Sequence, residues 1–313
     1  MEMVLLGAAL AIGGLLAIQA SANLQLNAAV GTPYGASTLQ LGIATGLLAL
    51  LALVMGSLSA VRLIAHVPTW HLLGGLASPL YITSGILLFP RLGALAAVGL
   101  FVTGQVLASL GLDSFGLLGV PRQSLTIGVV IGAAAVILGI RTIIHGQQAT
   151  GNGATASRRG AAQKAGWIAL GILAGAVLPV QGAVNAQLRA DLQQPITVAL
   201  ISFTVATLTI SAVLIVLLML RRTPSPKLEP LSRMPWWGWV GGICAGMYVT
   251  ATFMLIPAIG AAKTIALTVA GQQLASATID SRGLFRLPVR SLTRPRVAGL
   301  VLLCVGAALV QLT

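Results

Sequence analysis

Two amides four residues apart, Gln19 and Asn23, interrupt an apolar run near the amino terminus, and the same pair returns as Gln181 and Asn185. A spacing of four puts both side chains on one face of a helix. Amides donate and accept hydrogen bonds without carrying charge, so facing pairs suit binding of a small polar molecule across a cavity. The alternative is bonding between neighbouring helices, worth about 1 kcal/mol each in a membrane. Gln105 and Gln272, the latter followed by Gln273, sit behind Gly104 and Gly271 in two further apolar runs and admit the same two readings. Tyr81 and Tyr248 each lie eleven residues beyond a tryptophan, Trp70 and Trp237. That is about 16 Å along a helix, deep enough that the phenol needs a partner. Asp113 and Asp280 precede glycine turns and read either as helix-end caps or as gate carboxylates sensitive to protons or cations. Lys263 stands at the start of an apolar run, either snorkelling to the membrane surface or anchoring an anionic group.

Catalytic or metal chemistry would need such groups to cluster, and they do not. His66, His71 and His145 share no ligand spacing, and Cys244 and Cys304 each lie inside an apolar run, where a free thiol is expected. No metal, cofactor or catalytic residue is therefore expected, and the chain does not read as an enzyme. The motif G-x-x-x-x-G-K-[ST] does not occur, which excludes an ATP-driven pump within this chain. The net charge of +13 is spread in short stretches between apolar runs instead of massing on a soluble domain, so no nucleic-acid partner is expected. No Asp or Glu stands in the middle of an apolar run: Glu2 is terminal, and Asp191 and Glu229 lie between runs.

The elements that must hold these side chains follow from composition. Hydrophobic residues make up 57% of the 313 and charged residues 7%, with a mean hydropathy of +0.98. A soluble domain carries roughly 25% charged residues, so there is too little polar residue here to coat one. A bilayer core needs about 20 apolar residues per helix. Runs of that kind fall at 3–22, 35–58, 70–89, 93–111, 123–143, 166–185, 195–220, 237–256, 261–279 and 295–312. They are continuous, not alternating, which excludes a transmembrane barrel. Ala20-Ser21-Ala22 mimics a signal-peptidase site, but no Lys or Arg precedes the first run and a related segment recurs mid-chain, so a retained helix is expected. The polar stretch 146–163 reads as a flexible linker, dividing the chain into five-helix units at 1–145 and 164–313.

The two units are copies. Gln19-x-x-x-Asn23-x-Gln25-Leu26 matches Gln181-x-x-x-Asn185-x-Gln187-Leu188 at an offset of 162, and Pro33 matches Pro195. Beyond a longer loop around Pro224–Pro235 the offset becomes 167. There Trp70 pairs with Trp237, Gly74-Gly75 with Gly241-Gly242, Tyr81 with Tyr248, Gly104-Gln105 with Gly271-Gln272, and Asp113 with Asp280. Five is an odd number, so the second copy must cross the membrane in the opposite sense, giving an inverted-topology repeat of the kind found in secondary transporters. Gly128-x-x-x-Gly132 in the fifth span fits a close helix contact, within the chain or in a homodimer.

These residues carry a resemblance. Gln-x3-Asn in the first span, Pro-Trp-Trp-Gly-Trp-Val-Gly-Gly at 235–242, Pro-x2-Gly at 90–93 and 257–260, and Gly-Gln-x7-Asp-x2-Gly at 104–116 and 271–283 resemble the YdcZ-like family of inner-membrane exporters, within the drug/metabolite transporter superfamily. The resemblance implies an all-α polytopic protein of ten transmembrane helices, with spans 1–4 and 6–9 lining a central cavity and spans 5 and 10 peripheral. It also implies transport of a small molecule. Proton-coupled exporters of hydrophobic cations among the superfamily's smallest members use an embedded glutamate that is missing here, so neutral, zwitterionic or anionic substrates are favoured. Copy two departs from the family's Asp-x-Phe-Gly, with Asp280-Ser281-Arg282-Gly283, and has Arg286 where copy one has Gly119.

The expected function is a secondary transporter working by alternating access at Gln19, Asn23, Tyr81, Gln105, Gln181, Asn185, Tyr248, Lys263 and Gln272, with Asp113 and Asp280 as gates. The competing readings are a membrane enzyme acting on a lipid precursor, and a channel or scaffold. Of the 18 Lys and Arg, 14 fall in the loops after spans 1, 3, 5, 7 and 9. That bias predicts an inner (plasma) membrane protein with both termini outside and the linker in the cytoplasm.

Overall fold

The computed structural model describes residues 2–122, 124–148, 158–259 and 261–312. Among them are ten α-helices and no strand. The first unit holds α1 (Glu2–Val30), α2 (Pro33–Val54), α3 (Ser78–Leu92), α4 (Ala94–Phe115) and α5 (Ile127–Gln148). The second holds α6 (Arg158–Leu192), α7 (Pro195–Met219), α8 (Val240–Ile259), α9 (Ala261–Arg282) and α10 (Arg294–Leu312). Pro33 and Pro195 open α2 and α7, where the missing N–H of proline is no loss. Gly93, at a φ of 81°, makes the sharp break between α3 and α4 that a side chain would resist.

Several boundaries differ from those expected of the apolar runs. Helices α1 and α6 run on to Val30 and Leu192, and α5 and α6 reach into both ends of the polar 146–163 stretch; its residues 149–157 lie outside the described residues. Before α3 the chain forms a tighter 3-10 segment, Thr69–Ala77, and Trp236–Trp239 does the same before α8. Among the described residues, seven helical segments, all between residues 3 and 219, are long and apolar enough, by length and composition, to cross a membrane. Helices α8, α9 and α10 are the repeat partners of α3, α4 and α5.

Helices equivalent in the repeat meet antiparallel, which establishes the inversion. Along α2 and α7, Thr32 pairs with Thr223 (2.7 Å), Thr45 with Thr207 (2.9 Å), and the Thr197 hydroxyl reaches past the end of α2 to the Ser57 carbonyl (2.8 Å). Thr45 and Thr207 are themselves equivalent residues, so the pseudo-two-fold axis passes between them. Along α5 and α10, Gly132 faces Gly306 and Gly139 faces Gly299 so closely that a methyl on Gly132 would sit 2.8 Å from the Gly306 carbonyl oxygen. These glycines serve a contact between repeats within one chain. Each unit's first helix is embraced by the other unit: α1 packs on α8 and α9, and α6 on α3 and α4. Outward faces of α2, α5, α7 and α10 present Leu50, Val130, Leu208 and Val301, each more than half exposed, as expected of a lipid-facing surface.

The two ends of the bundle follow from these contacts. The linker end holds the carboxyl ends of α5 and α9 and the amino ends of α4, α6 and α10; there the Arg91 guanidinium lies 4.3 Å over the Trp167 ring. The far end holds the carboxyl ends of α4 and α6 and the amino ends of α3 and α7, tied by His71 Nδ1 to Asp191 at 2.5 Å.

Candidate functional site

A cavity of about 330 Å³ lies between the two units. Helices α1, α3 and α4 contribute Gln19, Tyr81 and Gln105; α6, α8 and α9 contribute their repeat partners Gln181, Tyr248 and Gln272, together with Asn185. Apolar side chains such as Leu16, Ile82, Phe203 and Val269 form the rest of the wall. A volume near the lower end of the usual range for ligand pockets, about 300–1,000 Å³, fits a metabolite-sized molecule.

Hydrogen bonds hold the polar lining in place. On one wall Gln272 Nε2 donates to the Tyr81 hydroxyl at 3.0 Å, joining α9 to α3, and the Tyr81 ring leans on Phe101 at 4.8 Å. On the other wall Gln181 accepts from the Ser78 hydroxyl (3.0 Å) and donates to Ser202 (3.3 Å), to which Asn185 also donates (3.2 Å). Thr252 and Thr268 stand beside the Tyr248 phenol. Gln19, only 5% exposed, has an amide oxygen with no hydrogen-bond partner among the described residues. A buried amide oxygen left unpaired costs on the order of 1–3 kcal/mol, which a bound donor would recover.

The linker end is sealed. Asn23 is fully buried and donates to Gln40 on α2 at 3.1 Å. Gln40 is the repeat partner of Ser202, so the longer side chain fills the space that Ser202 leaves open on the other side. Asp280, 1% exposed, accepts the backbone N–H groups of Ala94 (2.7 Å) and Leu95 (3.2 Å), capping the first turn of α4 with its charge toward the positive helix end. Arg296 of α10 meets the same carboxylate at 2.7 Å and donates to the carbonyls of Arg290 and Ser291. Arg290 in turn donates to the Pro90 carbonyl at 3.2 Å. One acid thus ties α9, α10 and the α3–α4 break together.

The repeat partner of Asp280 is placed differently. Asp113, near the far end of α4, is half-buried. Its unit offers Val129 where the other has Arg296. Among the described residues it makes no hydrogen bond.

Of the residues singled out from sequence, Gln19, Tyr81, Gln105, Gln181, Asn185, Tyr248 and Gln272 share the cavity wall, and Asn23 lies outside it. Lys263 falls on α9, with its side chain outside the described residues. Helix α2 supplies no lining residue among those described, whereas α10 supplies Ala307, a departure from the helix set implied by the resemblance. Sequence reasoning passed over Ser78, Ser202 and Arg296. Ser78 and Ser202 gave no signal beyond being hydroxyls in apolar runs. Arg296 counted only as a basic loop residue, though its place inside an apolar run was visible. A second pair also emerged. Gln25 Nε2 donates to the Phe285 carbonyl and Gln187 Nε2 to the Leu118 carbonyl, both at 3.2 Å, in turns where Leu118 and Phe285 take left-handed φ values of 54° and 57°. The repeat in Gln25 and Gln187 could have revealed it.

Comparisons with known proteins agree with this architecture. The family described as "Putative inner membrane exporter, YdcZ" matches residues 4–142 and again 166–309. The inner membrane protein YdcZ of Escherichia coli (strain K12) is 35% identical over 82 residues, 26% of this chain. The chain spans about half, 54%, of that relative's length. A protein known from a crystal structure shares the fold with a TM-score of 0.57 over 97% of this chain and 96% of its own, at 19% identity. Both units of the chain match one family and both adopt one five-helix arrangement: the chain belongs to the YdcZ family and is a multi-pass inner-membrane protein that carries the family unit twice.

Proposed function

We propose that the protein is a secondary transporter that exchanges a small molecule by alternating access. The observation that carries this reading is the unequal closure of two equivalent ends. The linker end is sealed by Asp280, Arg296, Asn23 and Gln40, while the cavity wall reaches toward the far end at Ser78, Ser109, Asn185 and Ile265. Inverted repeats can exchange the two arrangements, so the opposite state would seal the far end around Asp113 and move the cavity toward the linker. Asp280 and Asp113 then act as gates that cap α4 and α9 in turn. Gln19, Gln181, Tyr81, Tyr248, Gln105 and Gln272 hold the substrate, joined by Asn185 in this state and by Asn23 in the other. The lack of an embedded glutamate disfavours hydrophobic cations as substrates, and family membership supports export. The Lys and Arg bias supports a cytoplasmic linker and external termini.

Counterflow in proteoliposomes tests the proposal. A transporter shows saturable exchange that Gln19→Leu abolishes while thermal unfolding stays unchanged. Flux that rises linearly with load would indicate a channel, and turnover of a lipid precursor without flux an enzyme. Reporter tags at residues 1 and 155 are expected on opposite faces of the membrane; finding both on one face would remove the inverted arrangement from the mechanism.

A further inference from the structure

Resting on the transporter reading, we infer that the cavity selects uncharged molecules, bearing hydroxyl or amide groups on an apolar body, and rejects both cations and anions. Its polar wall consists of amides and hydroxyls alone; among the described lining residues there is no Asp, Glu, Lys, Arg or His. A charge moved from water into a membrane cavity needs an opposite charge or an equivalent dipole. The acid nearest in kind, Asp280, is committed at the linker end to Arg296 and to the amino end of α4. At the far end Asp191 is paired with His71.

The second device by which transporters hold ions is also missing from the described residues. Broken helices aim a positive amino end or free carbonyls at the substrate. Here α1, α4, α6 and α9 pass the cavity as unbroken helices, and the 3-10 segment before α3 continues into it at Ser78 without a gap. Their backbone groups are used internally apart from the Gly175 carbonyl, which Pro179 in α6 leaves without its helical N–H partner. What the site does offer is a set of neutral partners: the unpaired carbonyl of Gln19 as acceptor, and the Tyr81 hydroxyl, which receives Gln272 and keeps its own proton to donate. Gln181, fixed at both ends by Ser78 and Ser202, forms a rigid wall instead of reorienting around an ion.

The test uses the full-length protein in lipid nanodiscs and two sets of near-isosteric probes. One set is nicotinamide, nicotinate and 1-methylnicotinamide; the other is benzyl alcohol, benzoate and benzylammonium. At equal concentration, thermal shift is expected to be larger for the uncharged member of at least one set. Its affinity should be at least about tenfold above that of either charged partner, and the shift should vanish in Gln19→Leu and in Tyr81→Phe. Both variants are first checked for an unchanged melting temperature without probe; if one is destabilised, the other and Gln272→Leu carry the test. A charged probe that binds more tightly, with its shift lost in the same variants, overturns the inference, as does the absence of a shift from both uncharged probes. Counterflow separates this from the parent reading: saturable exchange of a charged probe leaves a transporter of another substrate class, whereas binding without exchange removes transport itself.

Discussion

The two ends of this bundle are made from the same helices in the same order, yet one is closed and the other holds a cavity. The difference is carried by a few substitutions between the copies. Gln40 buries Asn23 at the linker end, whereas Ser202, shorter by several atoms, leaves Asn185 on a cavity wall. Arg296 engages Asp280, whereas Val129 stands at the equivalent position for Asp113. Near-symmetry gives the two ends equivalent parts, and these residues make the contacts at the linker end the more extensive.

The largest effect is expected at the buried ion pair. Asp280→Asn leaves Arg296 uncompensated at 2% exposure and should cost about 3–5 kcal/mol in unfolding experiments. Asp113→Asn should cost less than about 1 kcal/mol. Equal losses would erase the contrast between the ends. Next come the glycines on the symmetry axis. Gly132→Ala and Gly299→Ala each place a methyl within 2.8 Å of a facing carbonyl oxygen and should cost about 1–3 kcal/mol, by similar amounts because their surroundings are related by the repeat.

Labelling sharpens the comparison further. A cysteine at Asn185 should react with a membrane-impermeant maleimide from the far side at least about tenfold faster than one at Asn23, since access governs thiol chemistry. Reversed rates would mean that the cavity faces the linker end. The smallest effect concerns Arg286, held at a φ of 60° where the other copy has Gly119. Arg286→Gly should stabilise the protein by about 0.5 kcal/mol in thermal unfolding, the relief of a left-handed backbone less the lost contact 5.9 Å over Trp237.

Much of the site was legible because polar residues in apolar runs are few and because the repeat marks them twice. The pairs Gln19 and Gln181, Tyr81 and Tyr248, and Gln105 and Gln272 stand out on both counts, and all six line one cavity. Asn23 shows the limit of that logic: its partner Asn185 lines the cavity beside the short Ser202, while Asn23 itself is buried against the longer Gln40. The 3-10 segments before α3 and α8 were also hidden, because apolar runs read alike in either helical form.

Composition and the odd-numbered repeat determined from sequence alone that this chain crosses a membrane and that its halves run in opposite directions, since lipid admits only self-bonded helices and five crossings reverse the start of the second copy. Which end closes, and which acid finds a partner, was decided in three dimensions. Asp280 and Arg296 are 16 residues apart, and the helix end they cap lies more than 180 residues away. Only the packed bundle brings them together, and only there does water leave them, so that neither charge can lose its partner without a large cost.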